Sequence, residues 1–322
     1  MHKSFDSEVA EQIGVEPTTT IAPTARRAAD HEFGSQATDL KLSLVEAYSR
    51  AFTTALRGKF AELWYIDAFA GTGERTERVP RTHFMGTLVP EQVIRHRGSA
   101  RIAIEIQPAF DKLIFVEKKP RAVQALHDLR EQQLHRDIEV IAGDANREIP
   151  KLLRSVNWRR IRAVMFLDPY GMTVDWKTLE AIAKTGSIDL WFLFSLSGFC
   201  RQAARRADRI DEIKRAAITR AFGTSDWEKE LYRPAPGFFS DLLPMERAVN
   251  IRGLEDWVHG HFPVVLPPLA LKPEKGPLLF SLFFATANPS PAATRLATRI
   301  ANHILKTAFH PKRMGDNAGP CG

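Results

Sequence analysis

Short apolar runs alternate with segments of helical periodicity from residue 63 onward. Apolar runs bounded by polar or glycine-containing segments are typical of buried parallel strands, whereas apolar residues that recur every three or four positions predict helices. The alternation of the two patterns predicts a mostly parallel α/β sheet. The predicted strands cover Leu63–Ile66, Leu113–Val116, Ile138–Ile141, Ala163–Leu167, Leu190–Phe194 and Leu278–Phe284, and the predicted helices include Arg121–Gln133, Asn146–Val156 and Trp176–Lys184.

A single apolar stripe precedes the first predicted strand. Apolar residues recur every four positions from Leu40 to Phe60, which predicts a helix that begins near Thr38-Asp39. The residues before this helix show no such period and are rich in threonine, proline and alanine, a pattern typical of a disordered arm. The predicted organisation is a disordered N-terminal arm over residues 1–37, a folded domain over 38–310 and a flexible tail over 311–322.

The order of the elements predicts a Rossmann-like, doubly wound sheet, in which ligands bind beyond the carboxyl ends of the strands. Residues 199–263 interrupt the alternation with arginine-rich sequence of helical character. We interpret this segment as a helical insertion late in the chain, and as a subdomain that faces the substrate.

Acidic residues follow four successive predicted strands. The first strand runs into Asp67-Ala-Phe-Ala-Gly-Thr-Gly, where the two glycines allow the backbone to turn tightly beside a ligand. The next three strands end at Glu117, in Gly143-Asp144-Ala145-Asn146 and in Asp168-Pro169-Tyr170-Gly171. Because the carboxyl ends of parallel strands lie at one edge of a sheet, we expect these acids to share one ligand site.

A dinucleotide site is the obvious competing interpretation of a glycine-rich turn with a downstream acid. Its fingerprint needs a third glycine, where this chain has Thr76, and an acid about 20 residues further on, whereas Glu117 lies far beyond. The next predicted helix begins only at Gly98-Ser99, so no early helix terminus is available for a pyrophosphate. The acids suit a ligand with cationic groups, such as S-adenosylmethionine, better than a dinucleotide.

The charge distribution favours a polyanionic partner. Lysine and arginine outnumber the acids by 45 to 38, and the formal net charge is +7 at pH 7. Basic clusters include Arg201, Arg205, Arg206 and Arg209, and no acid occurs between Lys275 and Arg313. We therefore expect a nucleic-acid substrate.

Other compositional features narrow the class of protein. No apolar run approaches the roughly 20 residues of a membrane-spanning helix, and the first residues lack the apolar stretch of a secretory signal, so we expect a cytoplasmic protein without a membrane partner. The two cysteines exclude a disulfide framework. The histidines lack the spacing of metal ligands, and we expect no metal site.

The motifs together resemble those of class I S-adenosylmethionine-dependent methyltransferases and, more narrowly, the three-Cys-motif partner family. The resemblance spans about residues 33 to 305 and implies S-adenosylmethionine as cofactor. The family's name refers to a separate cysteine-bearing protein, which is therefore a candidate partner. The resemblance rests on Lys41 and Tyr48 of the first helix, Tyr65 to Gly71, Gly98-Ser99-Ala100, Phe115 to Lys118, Gly143 to Asn146 and Phe284 to Pro289. The stretch between Gly73 and Gly98 departs from the family pattern, because it is longer and more basic than expected.

The resemblance also implies roles for individual residues. Asp168-Pro169-Tyr170-Gly171 is similar to the D-P-P-Y motif of amino-group methyltransferases, although its third and fourth positions differ. In such a site the carboxylate and the proline carbonyl hold the hydrogens of an exocyclic amine, while the aromatic ring stacks on a flipped base. The implied cofactor-binding residues are Asp67, Gly71 and Gly73 for the methionine part, Glu117 for the ribose, and Asp144 with Ala145 for the adenine, and Phe69 is a further cofactor-binding residue.

Three functions are compatible with these residues. The first is methylation of an exocyclic amino group on a nucleobase in RNA or DNA, and the second is methylation of a small molecule. The third is a cofactor-binding subunit that serves a cysteine-motif partner protein without turnover. The presence of acids after all four strands favours an active enzyme.

Overall fold

The computed structural model describes residues 23–79, 82–84, 87–89, 92–234, 245–247, 260–271 and 280–309. The chain divides into one unit that ends at Thr38 and a second, from Asp39 to Gly322, that contains the sheet. Residues 1–22 of the predicted arm and the predicted tail at 311–322 lie outside the described residues.

The first helix begins earlier than the sequence pattern predicts. Helix α1 covers Pro23–Leu56, so the predicted beginning near Thr38-Asp39 is wrong, and residues 23–37 of the predicted arm are helical. Proline is favoured at the first position of a helix, and the alanines and arginines that follow it are strong helix formers. Propensity therefore extends the helix beyond the apolar stripe that marks its packed part.

Each of the other predicted strands and helices overlaps an observed element, and further short strands accompany them. The strands are β1 (Glu62–Asp67), β2 (Glu74–Val79), β3 (Thr82–Phe84), β4 (Thr87–Val89), β5 (Gln92–Arg97), β6 (Lys112–Glu117), β7 (Ile138–Ala142), β8 (Ile161–Leu167), β9 (Ile188–Ser195), β10 (Tyr232–Pro234), β11 (Met245–Arg247), β12 (Val264–Val265), β13 (Leu269–Leu271) and β14 (Phe280–Thr286). The further helices are α2 (Ser99–Glu105), α3 (Pro120–Glu131), α4 (Ala145–Ser155), α5 (Trp176–Lys184), α6 (Leu196–Gln202), α7 (Glu212–Phe222), α8 (Trp227–Leu231) and α9 (Pro291–Phe309).

The main sheet is doubly wound. Its described strands lie in the order β12-β14-β9-β8-β1-β6-β7, and β13 pairs with β14. The pairs from β9 to β7 are parallel, whereas β14 runs antiparallel to β9. The chain moves from β1 to β7 in one direction and then returns to β8 on the other side of β1. The carboxyl ends of β1 and β8 therefore flank the crevice where doubly wound sheets bind ligands.

Alternate side chains of each central strand enter different cores. Trp64 and Ile66 of β1 pack into the core that contains residues of α4, α5 and α7. Leu63 and Tyr65 of the same strand pack into the core that contains residues of α1, α2, α3 and α9. Both faces of the sheet are thus covered by helices, which explains why the strand sequences are continuously apolar.

Two segments depart from simple alternation. Between β1 and α2, strands β2 and β5 form an antiparallel pair that is aligned from Glu74 opposite Arg97 to Val79 opposite Gln92. Within the predicted insertion at 199–263, the described part begins with helices and then forms the short β10–β11 pair. The helical character of the insertion thus holds for its first part, and residues 235–244 and 248–259 lie outside the described residues.

Candidate active site

The end of β1 carries a buried carboxylate. Asp67 is 0% exposed, and its Oδ1 accepts a hydrogen bond from the Phe69 amide at 3.1 Å. Its Oδ2 has no hydrogen-bond partner among the described residues. Burial raises the pKa of Asp67 from 3.8 to about 7, although the Ser99 side chain and the Phe69 amide act in the opposite direction. A buried acceptor of this kind suits a ligand that brings a hydrogen-bond donor or a positive charge.

The loop after Asp67 is fixed by both neighbouring strands. The Ala68 amide donates to the Phe166 carbonyl at 3.1 Å, and the Ala70 amide donates to the Val116 carbonyl at 3.2 Å. Gly71 and Gly73 follow with φ values of 60° and 74°, in the left-handed region that favours glycine. A Cβ on Gly71 would meet no heavy atom within 4 Å, whereas one on Gly73 would lie 2.9 Å from the Leu129 side chain.

Glu117 ties the second strand end to this loop. It is 8% exposed, and its Oε2 accepts a hydrogen bond from the Gly71 amide at 3.0 Å. Its Oε1 accepts from the Lys118 and Lys119 amides, both at 2.9 Å. A carboxylate has about four acceptor positions, so the protein occupies three and leaves about one for a ligand.

Asp144, which follows the third strand of the site, is the N-cap residue of α4. The Asp144 side chain accepts a hydrogen bond from the Asn146 amide at 3.0 Å and so begins α4, of which Ala145 is the first residue. Asp144 is exposed, and the Ala145 side chain is buried. The Asn146 side chain fixes this end to the next loop, because it donates to the Thr173 carbonyl at 2.6 Å and accepts from the Asp175 amide at 2.8 Å.

Asp168, at the fourth strand end, is held by a lysine from α1. The Lys41 Nζ donates to Asp168 Oδ2 at 2.5 Å, and the two side chains are 11% and 26% exposed. Pro169 is buried, whereas Tyr170 is 79% exposed. The Lys119 ammonium lies 4.1 Å from the centre of the Tyr170 ring, which joins this loop to the end of β6.

Helix α6 packs against the same loop. Gly171 has φ of 69°, and a Cβ on Gly198 of α6 would lie 3.3 Å from its Cα. The Ser195 hydroxyl caps α6 by accepting from the Gly198 amide at 3.0 Å. The fifth strand end therefore buttresses the Asp168 loop, and places the exposed Arg201 on the helix that leads away from it.

The predicted acids therefore follow four parallel strands at one edge of the sheet. Asp67 interacts electrostatically with two of the other acids, because the charges of Asp168 and Glu117 add to the effect of burial on its raised pKa. The prediction of a shared edge is confirmed by the topology. The roles assigned to the individual residues stay predictions.

Four residues of the site were absent from the predicted set: Lys41, Ser99, Lys119 and Asn146. Lys41 was named only as part of the family resemblance, Ser99 and Asn146 were named within predicted segments without a role, and Lys119 was not named. A lysine on a buried helical stripe is the signal that could have identified Lys41, because such a charge needs a partner. The contacts of the other three depend on loop geometry, which no local sequence pattern encodes.

A separate cavity of about 340 Å³ lies at the opposite edge of the sheet. Its lining includes Asp189 and Arg162, near the beginnings of β9 and β8, together with apolar residues of α1 and α9. The Asp189 carboxylate accepts a hydrogen bond from the Tyr48 hydroxyl at 2.7 Å. The lining contains none of the predicted site residues, so this cavity is distinct from the edge where the acids converge.

Comparisons with known proteins concern the fold alone. No family model and no curated protein matches the chain. A protein from Legionella pneumophila is 11% identical with a TM-score of 0.44, over 84% of this chain and 93% of that one. An S-adenosylmethionine-dependent methyltransferase from Clostridium acetobutylicum is 10% identical with a TM-score of 0.34, over 75% and 91%.

A third similar structure is TYW2 of M. jannaschii in complex with AdoMet, 11% identical with a TM-score of 0.29, over 73% of this chain and 74% of that one. The strand order and the parallel pairing confirm the predicted fold class at the level of a Rossmann-like, doubly wound α/β sheet. Because no family model matches, membership in the three-Cys-motif partner family stays a prediction. Among the described helices, none is both long and apolar enough to span a membrane.

Proposed function

We propose that this chain is an S-adenosylmethionine-dependent methyltransferase that modifies an exocyclic amino group of a nucleobase in RNA or DNA. The observation that carries the proposal is the convergence of Asp67, Glu117 and Asp168 at one sheet edge beside the exposed ring of Tyr170. Asp67 and Glu117 suit the methyl donor, and an aromatic ring next to the Asp168 carboxylate suits a planar amine as acceptor.

The residues at this edge fit the cofactor. The Asp67 carboxyl group is buried, and its Oδ2 has no hydrogen-bond partner among the described residues, so a cationic or N–H donor group of a ligand would complete its interactions. The acceptor position left on Glu117 suits one ribose hydroxyl. We propose that Asp67, Phe69, Gly71 and Gly73 hold the methionine part, Glu117 the ribose, and Asp144 with Ala145 the adenine.

The loop Asp168-Pro169-Tyr170-Gly171, called the acceptor loop below, would position the acceptor amine. S-adenosylmethionine contributes a methyl group that is electrophilic because it is attached to a sulfonium. The Asp168 carboxylate and the Pro169 carbonyl accept the two hydrogens of the acceptor amine, which localises the nitrogen lone pair and directs it at the methyl carbon. Bound S-adenosylmethionine would supply its methyl group to this nitrogen and leave as S-adenosylhomocysteine, and the surplus proton on nitrogen would pass to water. Tyr170 stacks on the base that carries the amine.

Exposed cations near the acceptor loop support a nucleic-acid substrate. Lys118, Lys119 and Arg121 are exposed at the beginning of α3, and Arg201 is exposed on the helix that packs against the loop. Lysine and arginine contact phosphates in a sequence-independent manner and so contribute affinity. We propose that residues 199–263 form part of this substrate-facing surface.

Methyl transfer from labelled S-adenosylmethionine tests the acceptor class. The acceptors are total RNA, genomic DNA, lysate protein and the small-molecule fraction of a lysate. We expect label in RNA or DNA with the wild type and with the control Asp128→Asn, an exposed aspartate on α3. Asp168→Asn should reduce transfer about 100-fold, because the amine loses its charged acceptor, while calorimetry shows unchanged cofactor binding.

Other results of these binding and transfer measurements would contradict different parts of the proposal. Absence of saturable S-adenosylmethionine binding by the wild type would overturn the enzyme assignment. Binding with label only in small molecules would overturn the nucleobase acceptor. Binding without transfer to any acceptor would favour the alternative function, a cofactor-binding subunit that works with a cysteine-motif partner protein.

A further inference from the structure

Lys41 is a buried lysine whose charge is directed into the acceptor loop. The residue is 9% exposed and lies on α1, whereas its partner Asp168 follows β8. Lysine is rarely buried without a partner, because its ammonium loses hydration. This ion pair connects helix α1 to the carboxyl end of β8 inside the candidate site, and it therefore restrains the Asp168 side chain.

We infer that Lys41 is a positioning residue of the acceptor site, which holds Asp168 through Oδ2 and leaves Oδ1 to receive a hydrogen of the acceptor amine. This inference rests on the proposed function. The two carboxylate oxygens then have separate tasks, one toward the protein and one toward the substrate. Because an acceptor must be held within about 0.5 Å and 10–20° of its productive geometry, a fixed carboxylate is more effective than a mobile one.

Lys41 also reduces the electrostatic repulsion between the acids of the site. Asp67 and Glu117 lie at the same sheet edge, and the charges of Asp168 and Glu117 disfavour ionisation of Asp67. Ionised carboxyl groups so arranged repel one another, and Lys41 places a positive charge in direct contact with one of them. The ammonium thus offsets repulsion in the site before any cationic ligand binds.

Burial separates Lys41 from the lysines suited to contact phosphate. The Lys41 side chain is 11% exposed, whereas Lys118 and Lys119 are exposed at the rim of the same edge. A buried ammonium already paired at 2.5 Å is poorly placed to reach a polyanion in solvent. Its effect on transfer should therefore pass through Asp168, and that dependence distinguishes it from a substrate-binding lysine.

A double-mutant cycle tests this dependence, with Lys41→Met, Asp168→Asn, the double variant and the wild type. Urea unfolding measures the pairing without turnover, and kcat/KM for transfer to the acceptor measures the functional coupling. The matched control is Lys112→Met, because Lys112 forms a similar pair with Glu139 at 2.9 Å near the opposite edge of the sheet. Calorimetry with S-adenosylmethionine on all proteins separates cofactor binding from acceptor positioning.

We expect Lys41→Met to lower kcat at least about tenfold with KM for the acceptor little changed, and to have almost no further effect in the Asp168→Asn background. Lys41→Arg should restore part of the loss, because it retains a charged donor. Lys112→Met should leave transfer unchanged. The unfolding equilibria should show coupling between Lys41 and Asp168 of about fivefold or more.

Three results would overturn the inference. Multiplicative losses of transfer in the double variant would mean that Lys41 acts independently of Asp168. Absence of coupling in urea unfolding would mean that the pair does not form. Faster transfer by Lys41→Met would mean that Lys41 blocks the acceptor position. An inactive wild type with intact unfolding coupling would instead remove the proposed function, and the positioning role with it, while leaving the ion pair as a structural contact.

Discussion

The Glu117 carboxylate accepts a hydrogen bond from the Gly71 amide at 3.0 Å, which connects the ends of the first two strands of the site. The two residues are 46 positions apart in sequence, and the same carboxylate also accepts hydrogen bonds from the Lys118 and Lys119 amides that follow it. Glu117 therefore has a structural task in the protein alone and, by our proposal, a ligand task in the complex. Glu117→Gln keeps the shape but replaces one acceptor oxygen by an NH2 donor, so it affects both tasks, and urea unfolding of the variant reports the structural one.

Glu117→Gln should weaken S-adenosylmethionine binding about tenfold, because a charge-assisted hydrogen bond to a ribose hydroxyl becomes a neutral one. Calorimetry measures the Kd, and the control is Glu139→Gln, whose side chain is 42% exposed on the neighbouring strand. Equal Kd values for wild type and Glu117→Gln would remove the ribose role.

Asp67 should make stability depend on pH. Its pKa is raised from 3.8 to about 7 by burial, so the folded state holds a proton that the unfolded state releases between these values. The free energy of unfolding should then fall as pH rises from about 4 to 7, by about 4 kcal/mol for a shift of this size. Urea unfolding across this range measures the slope, and Asp67→Asn should flatten it. An unchanged slope in Asp67→Asn would assign the dependence to other groups.

Cofactor binding should release the proton of Asp67. If a cationic group of S-adenosylmethionine lies against this carboxylate, it favours the ionised form, so binding near pH 6 should release up to one proton, and release should decline above pH 7. Calorimetry in buffers with different ionisation enthalpies counts the protons. Binding without proton release at pH 6 would place the cationic groups away from Asp67.

Tyr170 should contribute to acceptor binding but not to stability. Its ring is 79% exposed, so Tyr170→Ala should change the free energy of unfolding by less than about 0.5 kcal/mol. Loss of a stacked base should lower kcat/KM about 10-fold to 100-fold. Tyr170→Phe, which retains the ring, should stay close to wild type. Full activity of Tyr170→Ala would exclude stacking at this position.

Gly73→Ala should destabilise the protein more than Gly58→Ala. The two glycines have similar φ values of 74° and 76°, so both substitutions incur backbone strain of about 1–3 kcal/mol. Only at Gly73 would the new Cβ also approach a side-chain carbon, at 2.9 Å, while Gly58 has open space. Urea unfolding of both variants isolates the effect of this contact. Equal losses would show that Leu129 moves aside without measurable effect.

Much of the fold follows from sequence periodicity. The runs around Ile66, Val116 and Leu167 are apolar because both faces of the sheet are covered, and this pattern predicts parallel strands whose ends share an edge. The beginning of α1 at Pro23 was missed, because helix propensity without an apolar stripe gives no periodic signal.

The site was predictable only to the level of its strand ends. Asp67 and Asp168 follow apolar runs, so their placement follows from the direction of parallel strands. The partner of Asp168 lies 127 residues away on α1, and the Ser99 side chain that lowers the pKa of Asp67 lies beyond the β2–β5 pair. Contacts at such separations depend on how elements pack, which a single sequence does not specify.

The two ends of the segment between Gly73 and Gly98 are in contact with each other. The Gly98 amide donates to the Gly73 carbonyl at 2.9 Å, and a Cβ on Gly98 would lie 2.7 Å from the Gly73 carbonyl carbon, so the two backbones lie side by side in contact where the β2–β5 pair begins. Residues added or removed between these two glycines need not move Asp67 before them or Ser99 after them. We therefore expect changes of length here to disturb the surrounding architecture little, so the segment offers a position for grafting a different loop, or a reporter group, beside the candidate site.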